Sequence, residues 1–187
     1  IMTCGCGVGR PPATRAPAAV PGHPALAGTD EARLAAAPVL AAAPTVHRKP
    51  VDAASAALGA AFGALPEELR ATAPLYVLCR DYGTWAARRF VARCHDPARR
   101  LRPSDSVGLE TSELVRPYLT AAEHRGDCYL LAQLPAARLP VAQAEFTPPV
   151  TAARPAAVVL DLIVFPGEDP RDADCLALAT TWKASGL

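Results

Sequence analysis

A stretch of twenty residues, Leu75–Cys94, constrains the fold more than any other part of the chain, because it joins two alternating apolar patterns through a turn signal. Its first six residues alternate as a strand does that is buried on one face and covered on the other. A turn follows around Gly83, since glycine accepts the positive φ that hairpin turns need. The alternation resumes at Trp85 and places Phe90 and Cys94 on one face. The pattern predicts an antiparallel hairpin whose second strand is apolar inward and arginine-rich outward.

The first fifty residues differ in composition from the rest. They contain eight prolines and five glycines, and all ten aromatic residues lie between Phe62 and Trp182. Such a segment cannot bury enough apolar surface to offset its chain entropy. We expect residues 1–50 to be a disordered or loosely attached Pro/Ala/Gly-rich tail, followed by one domain at 51–187. Cys4 and Cys6 in this tail are either a pair of lipid-anchor sites or incidental exposed thiols.

Charge and cysteine usage narrow the functional classes. The net charge of +1 gives no whole-molecule attraction to nucleic acid. Six cysteines show no zinc spacing, so we expect no metal site, and no apolar run is long enough to cross a membrane. The first 20 residues lack the apolar core of a signal peptide. These features indicate a soluble, cytoplasmic protein with reduced cysteines.

Helix and strand signals alternate along the remaining chain. Helices are predicted from Asp52 to about Leu65, from Pro66 onward, and over Pro117–Arg125 with Gly126 as the C-terminal cap. Besides the two hairpin strands, Leu75–Arg80 and Trp85–Cys94, four further strands are predicted: Cys128–Leu134, Leu139–Phe146, Ala156–Phe165 and Asp174–Trp182. The most apolar of them, at 156–165, is placed centrally. Because the connections are short, neighbouring strands are expected to be antiparallel. The predicted fold is α+β: an antiparallel sheet of five to six strands with two to three helices packed on it.

Arginines are the most prominent polar groups, with six in the fifteen residues from Arg88 to Arg102. They indicate either a phosphate or carboxylate site or a solvated basic loop. No Ser-His-Asp, Walker, dinucleotide-binding or zinc-protease pattern is present. This leaves Arg88 or Arg89 on the hairpin and Glu145, a lone acid in an apolar run, as the candidates for chemistry. Glu145 is either exposed at a sheet edge or held in a pocket.

Five short segments follow one another in a set order: Leu65–Leu69, Leu78–Asp81, Trp85–Arg89, Leu114–Leu119 and Leu139–Pro148. In order and approximate spacing they resemble the chorismate lyases, a family in which a hairpin presents an arginine to a dicarboxylate and a late strand carries a catalytic glutamate. The chain departs from that family in two places. A second active-site arginine of the family falls where this chain has Pro74 or Leu75, and 38 residues follow Pro149.

The resemblance implies that Arg89 grips a carboxylate of chorismate and that Glu145 assists the elimination of pyruvate, with no cofactor. Arg88 and Leu119 are the further ligand-binding candidates. Whether the chain is an enzyme stays open, and the broader hypothesis is a domain that binds a small anionic molecule. One alternative is a non-catalytic interaction protein that docks a protein partner or membrane through residues 1–50 and the basic hairpin. Another, on architecture alone, is a hot-dog-like acyl-binding domain.

Overall fold

A computed structural model of the chain describes residues 33–42, 44–79, 81–132, 146–169 and 171–185. These residues belong to one compact unit, Glu31–Leu187. In chain order its elements are β1 (Ala36–Leu40), β2 (Val46–His47), α1 (Pro50–Gly63), α2 (Glu67–Arg70), β3 (Leu75–Cys79), α3 (Tyr82–Cys94), α4 (Ser104–Val107), a 3-10 turn (Thr111–Leu114), α5 (Arg116–Ala121), β4 (Cys128–Ala132), β5 (Ala156–Pro166) and β6 (Ala173–Ala184). The predicted α+β class is confirmed.

The six strands form one sheet in the order β1-β6-β5-β3-β4, with β2 also paired to β6. β5 is the central strand, as its apolar sequence predicted. β5 pairs antiparallel with β6 along its whole length, whereas β3 runs parallel to both β4 and β5. The sheet is therefore mixed, and the expectation of a purely antiparallel sheet is wrong. The reason lies between β3 and β4, where helices replace the expected tight turn and carry the chain back to the same end of the sheet.

The predicted second hairpin strand, Trp85–Cys94, is instead part of the helix α3. Its buried residues Tyr82, Trp85 and Ala86 recur at the spacing of a helix, and the half-buried Phe90 extends the same stripe. Alanine and arginine, which favour helices, fill most of the other positions. Cys94, predicted to be buried, is exposed at the end of the helix. The alternation of apolar and polar residues in Trp85–Cys94 is thus a coincidence of composition.

A single apolar core lies between one face of the sheet and the helices. α1 contributes Leu58 and Phe62 to it, as the predicted stripe requires, and β5 contributes alternate residues such as Leu160 and Leu162. The ring of Phe62 stacks on Tyr118 of α5, with the ring centroids 5.7 Å apart. Among the described helices, none is both long enough and apolar enough to cross a membrane.

The sheet begins earlier in the chain than the composition predicted. Residues 36–40 and 46–47, which precede the proposed domain at 51–187, pair with β6. In β1, Pro38 lies opposite Trp182 although proline lacks the N–H that a ladder uses. The prediction for residues 1–32, including Cys4 and Cys6, lies outside the described residues, and so do residues 139–145 of the strand predicted at Leu139–Phe146.

The helix predicted over residues 117–125 is shorter than expected and ends differently. α5 stops at Ala121, and Glu123 takes the left-handed conformation with φ of 48°. The amide of His124 then donates to the carbonyl oxygen of Leu119 at 2.9 Å, which closes the helix in a Schellman arrangement. Gly126 is therefore not the helix cap. Its glycine is needed because a Cβ there would lie 2.6 Å from the carbonyl oxygen of Thr72.

Candidate functional site

The connections that leave β3 and β5 diverge at one end of the strands. These strands are parallel neighbours, so their carboxyl ends lie side by side. From β3 the chain enters α3 and goes on to β4 on one side, whereas from β5 it turns back into β6 on the other side. In open parallel sheets, divergence of neighbouring connections opens a crevice at the carboxyl ends of the strands, and ligands bind there.

A groove of about 920 Å³ occupies this position between α3 and the residues that follow β5. One wall is the face of α3 that carries Thr84, Arg88 and Val91, and the other is the segment 166–168. Most of the lining is apolar, and Val91 exposes about half of its surface, 52%. The groove is therefore an apolar surface that the chain leaves open to a ligand.

Two charged side chains of opposite sign line this groove, Arg88 on α3 and Glu168 on the opposite wall. Both are exposed, and within the described residues they form no ion pair with each other. The guanidinium is a planar donor suited to a carboxylate. The Glu168 carboxylate repels an anion and accepts a hydrogen bond from a hydroxyl or an ammonium group. The α3 wall of this apolar cleft therefore favours a carboxylate, and the opposite wall favours a hydroxyl or an ammonium group.

Trp85 anchors the α3 wall from below. It is 4% exposed, and the guanidinium of Arg89 lies 5.3 Å from the centre of its ring, a cation–π contact. Its indole N–H is buried and has no hydrogen-bond partner in the part of the chain that the structure describes. The fold therefore leaves one polar group next to the groove unsatisfied. A buried unpaired donor of this kind costs about 1–3 kcal/mol.

The opposite wall is held by a compact turn between β5 and β6. The amide of Gly167 donates to the carbonyl oxygen of Asp172 at 2.9 Å, and the Arg171 guanidinium binds the Asp169 carboxylate. Hydrogen bonds from Arg171 lower the pKa of Asp169 to about 2. Arg171 also reaches Asp96 in the loop after α3, with 3.8 Å between nitrogen and oxygen. The two sides of the groove are thus linked at the surface.

The site residues predicted from the sequence do not all lie together. Arg88 and Arg89 are exposed on a helix rather than on a strand, with Arg88 on the groove wall and Arg89 over Trp85. Leu119 packs against the core from α5 and lines a different cavity of about 340 Å³. Glu145 lies outside the described residues. The hairpin on which the chorismate lyase resemblance partly rests is replaced by a strand and a helix.

Other ionisable groups are buried or half-buried and are not among the residues that line the groove. Asp161, in the middle of β5, is fully buried on the sheet face opposite the core helices and takes part in an interaction of its own. Burial raises the pKa of the Cys79 thiol to about 12, which makes it a poor nucleophile. Within the described ranges, no three His, Cys, Asp or Glu side chains group closely enough to hold a metal ion.

Sequence reasoning missed the second wall of the groove, because Pro166, Gly167 and Glu168 match no ligand-binding motif. A usable signal was nevertheless present. A long apolar strand that ends in Pro166-Gly167 delivers its loop to the carboxyl edge of the sheet. Had Tyr82–Cys94 been recognised as a helix after β3, a βα unit and its crevice would have been expected there.

Comparison of this chain with protein-family models, with curated proteins and with solved structures finds no match, so the geometry of the groove is what bears on function.

Proposed function

We propose that this protein binds a small organic carboxylate in the groove between α3 and the β5–β6 turn. The observation that supports the proposal is the apolar crevice of about 920 Å³ at the carboxyl ends of β3 and β5, with the Arg88 guanidinium on its wall. The volume falls in the range of small-molecule sites. An apolar ligand body packs along Val91 and Pro166, and its carboxylate pairs with Arg88.

Glu168 refines the class of ligand. A carboxylate bound next to Glu168 would be repelled, so the acid group lies on the α3 side of the cleft. A hydroxyl at the far end of the ligand donates a hydrogen bond to the Glu168 carboxylate. An aromatic hydroxy acid meets both requirements, and 4-hydroxybenzoate is the simplest probe. Benzoate lacks the group for Glu168, and 4-hydroxybenzyl alcohol lacks the group for Arg88.

Binding is measured by intrinsic fluorescence in a Trp182→Phe background, which leaves Trp85 as the only tryptophan. We expect 4-hydroxybenzoate to change the emission of Trp85 saturably, and the alcohol to bind at least tenfold more weakly, about 1.4 kcal/mol. Arg88→Ala should lose the preference for acids, while Arg88→Lys should recover only part of it. Arg125→Ala, another exposed arginine outside the groove, is the matched control. Equal binding of acid and alcohol would refute the role of Arg88.

The lyase hypothesis is tested with chorismate in the same preparation. Release of 4-hydroxybenzoate and pyruvate that is lost in Arg89→Ala and Glu145→Gln would support the elimination chemistry and its two proposed residues. If carboxylates bind and chorismate is not turned over, the result supports a binding protein without lyase activity. If no carboxylate binds, the alternative of a non-catalytic interaction protein gains support.

A further inference from the structure

A second concave surface lies at the other end of α3 and has a different chemistry. It is a cleft of about 490 Å³ whose lining is dominated by four arginines: Arg93, Arg99, Arg100 and Arg102. The remaining lining residues are small, aliphatic or polar, and none of them is aromatic. We call it the arginine cleft. It is independent of the groove and of the function proposed for the groove.

The acids near the arginine cleft are already engaged. Asp105 accepts from Arg93 at 2.7 Å and from the backbone amide of Arg102 at 2.8 Å. Asp96 accepts from the amide of Ala98 at 3.0 Å and pairs with Arg171. Between residues 93 and 105 four arginines face two aspartates, which leaves a formal charge of +2. Because Asp105 pairs with Arg93 and Asp96 pairs with Arg171, neither aspartate offsets the three arginines of the loop at 99–102.

Three arginines therefore line the arginine cleft without an ion-pair partner among the described residues. Arg99, Arg100 and Arg102 are all exposed, and within the described residues none of them forms an ion pair. The loop that carries them is fixed at both ends, by the turn at Asp96 and by the Arg93–Asp105 pair, whose side chains are largely shielded from solvent. Like charges held together in a fixed loop repel each other, and a multivalent anion removes this cost.

We infer that the arginine cleft binds the phosphate groups of a small molecule, with a diphosphate as the best match. Guanidinium groups bind phosphate oxygens in a bidentate manner, and a diphosphate presents enough oxygens for three of them. A cleft of this volume has the size of a small-molecule site. It lacks the aromatic platforms on which single-stranded nucleic acids stack, which favours a small ligand over a polymer.

The test is isothermal titration calorimetry with inorganic pyrophosphate, in parallel with orthophosphate and sulfate. We expect pyrophosphate to bind with one site per chain and at least tenfold more tightly than orthophosphate. The triple variant Arg99→Gln/Arg100→Gln/Arg102→Gln should show no detectable binding. A matched variant, Arg33→Gln/Lys49→Gln/Arg125→Gln, removes the same charge from exposed positions outside the cleft and should change the affinity by less than threefold.

Replacement of the three arginines by lysine distinguishes a site with specific geometry from electrostatic attraction of anions by charge alone. Lysine keeps the charge but loses the planar fork, so we expect affinity to fall about tenfold, whereas attraction by charge alone predicts no change. Circular dichroism and thermal melting confirm that each variant is folded. Absent binding, equal losses in the two glutamine variants, or tighter binding of a single-stranded oligonucleotide than of pyrophosphate would overturn the inference. Binding of 4-hydroxybenzoate should be unchanged in all three variants, which keeps the two proposals distinguishable.

Discussion

The two halves of the sheet are built differently. On one side of β5 the partner is β6, joined by a six-residue turn and paired antiparallel over eleven residue pairs. On the other side the partner is β3, parallel and more than 70 residues away in the sequence. The antiparallel half closes its end of the sheet with a turn, whereas the parallel half sends its chain into a helix. The groove lies where these two constructions meet, so one wall is a turn of the antiparallel half and the other is the helix that carries Arg88.

The largest effect is expected in the strand that both halves share. Leu162 of β5 is fully buried, with Cys79 and Ala177 as its neighbours in the sheet. Leu162→Ala should lower the free energy of unfolding by about 2–5 kcal/mol, because it leaves a cavity in the core. Leu130→Ala in β4, where the side chain is 40% exposed, should cost below about 1 kcal/mol. Urea denaturation measures both, and similar losses would show that β4 is as essential as β5.

The second-largest effect is a difference in stability cost between two glycines, one in each half. In Gly126→Ala the new Cβ would lie 2.6 Å from a backbone oxygen, so the change should destabilise by about 1–3 kcal/mol. In the turn of the antiparallel half, the nearest atom to a Cβ at Gly167 lies at 3.2 Å, and a smaller loss is expected. Gly83→Ala meets no atom within 4 Å and serves as the control, with a gain of about 0.5–1 kcal/mol from helix propensity. A greater loss at Gly167 would reverse the order.

A smaller effect, of opposite sign, is expected where α5 leads into β4. Glu123 is the non-glycine residue with positive φ among the described residues. Glu123→Gly should raise the free energy of unfolding by about 0.5–1 kcal/mol, since glycine adopts this conformation without steric cost. Glu123→Ala keeps the cost and should show no such gain. Thermal unfolding of the three proteins decides the matter, and an equal gain from alanine would point to the charge instead of the backbone.

The smallest effect is a difference in pH dependence. Burial lowers the pKa of His124 in the parallel half, and hydrogen bonds from Arg171 lower that of Asp169 in the antiparallel turn to about 2. A depressed pKa gives stability above the unfolded-state value that is lost as the pH falls through the folded-state value. For His124 the loss starts below about pH 6.5, and for Asp169 only below about pH 4.

Denaturation at pH 8 and pH 5.5 tests this difference. The native protein should be less stable at pH 5.5, and His124→Gln should show a smaller drop. Asp169→Asn should leave the drop unchanged, because Asp169 is ionised at both values. A drop that His124→Gln does not reduce would assign the titration to another group.

The central and antiparallel parts of the fold could be predicted from the sequence because their patterns are local. β5 is a continuous apolar run, and the alternation in β6 follows within a few residues. The helix α3 was missed because its arginines and alanines satisfied a period of two as well as the helical one. Parallel pairing of β3 with β5 leaves no local trace, since nothing in either strand specifies a partner so distant in the sequence.

The candidate site could be predicted from the sequence only in part, because it too depends on the pairing of distant strands. Arg88 was selected by its charge, and it does line the groove. Its partner wall at Pro166–Glu168 comes from a different strand, and only the sheet order brings the two walls together. The arginine cleft, by contrast, is formed within about a dozen residues, which is why its basic character was visible in the sequence.

Pro38 has a consequence for how copies of this chain meet. β1 is an outer strand of the sheet as described, and Val39 and Leu40 beside the proline are about half exposed. An apolar border strand of this kind is a template on which further strands assemble into aggregates. Proline cannot donate to such a ladder, and it interrupts the strand in the middle. Pro38→Val should therefore increase light scattering at high protein concentration, whereas Pro103→Val, outside the sheet, should not.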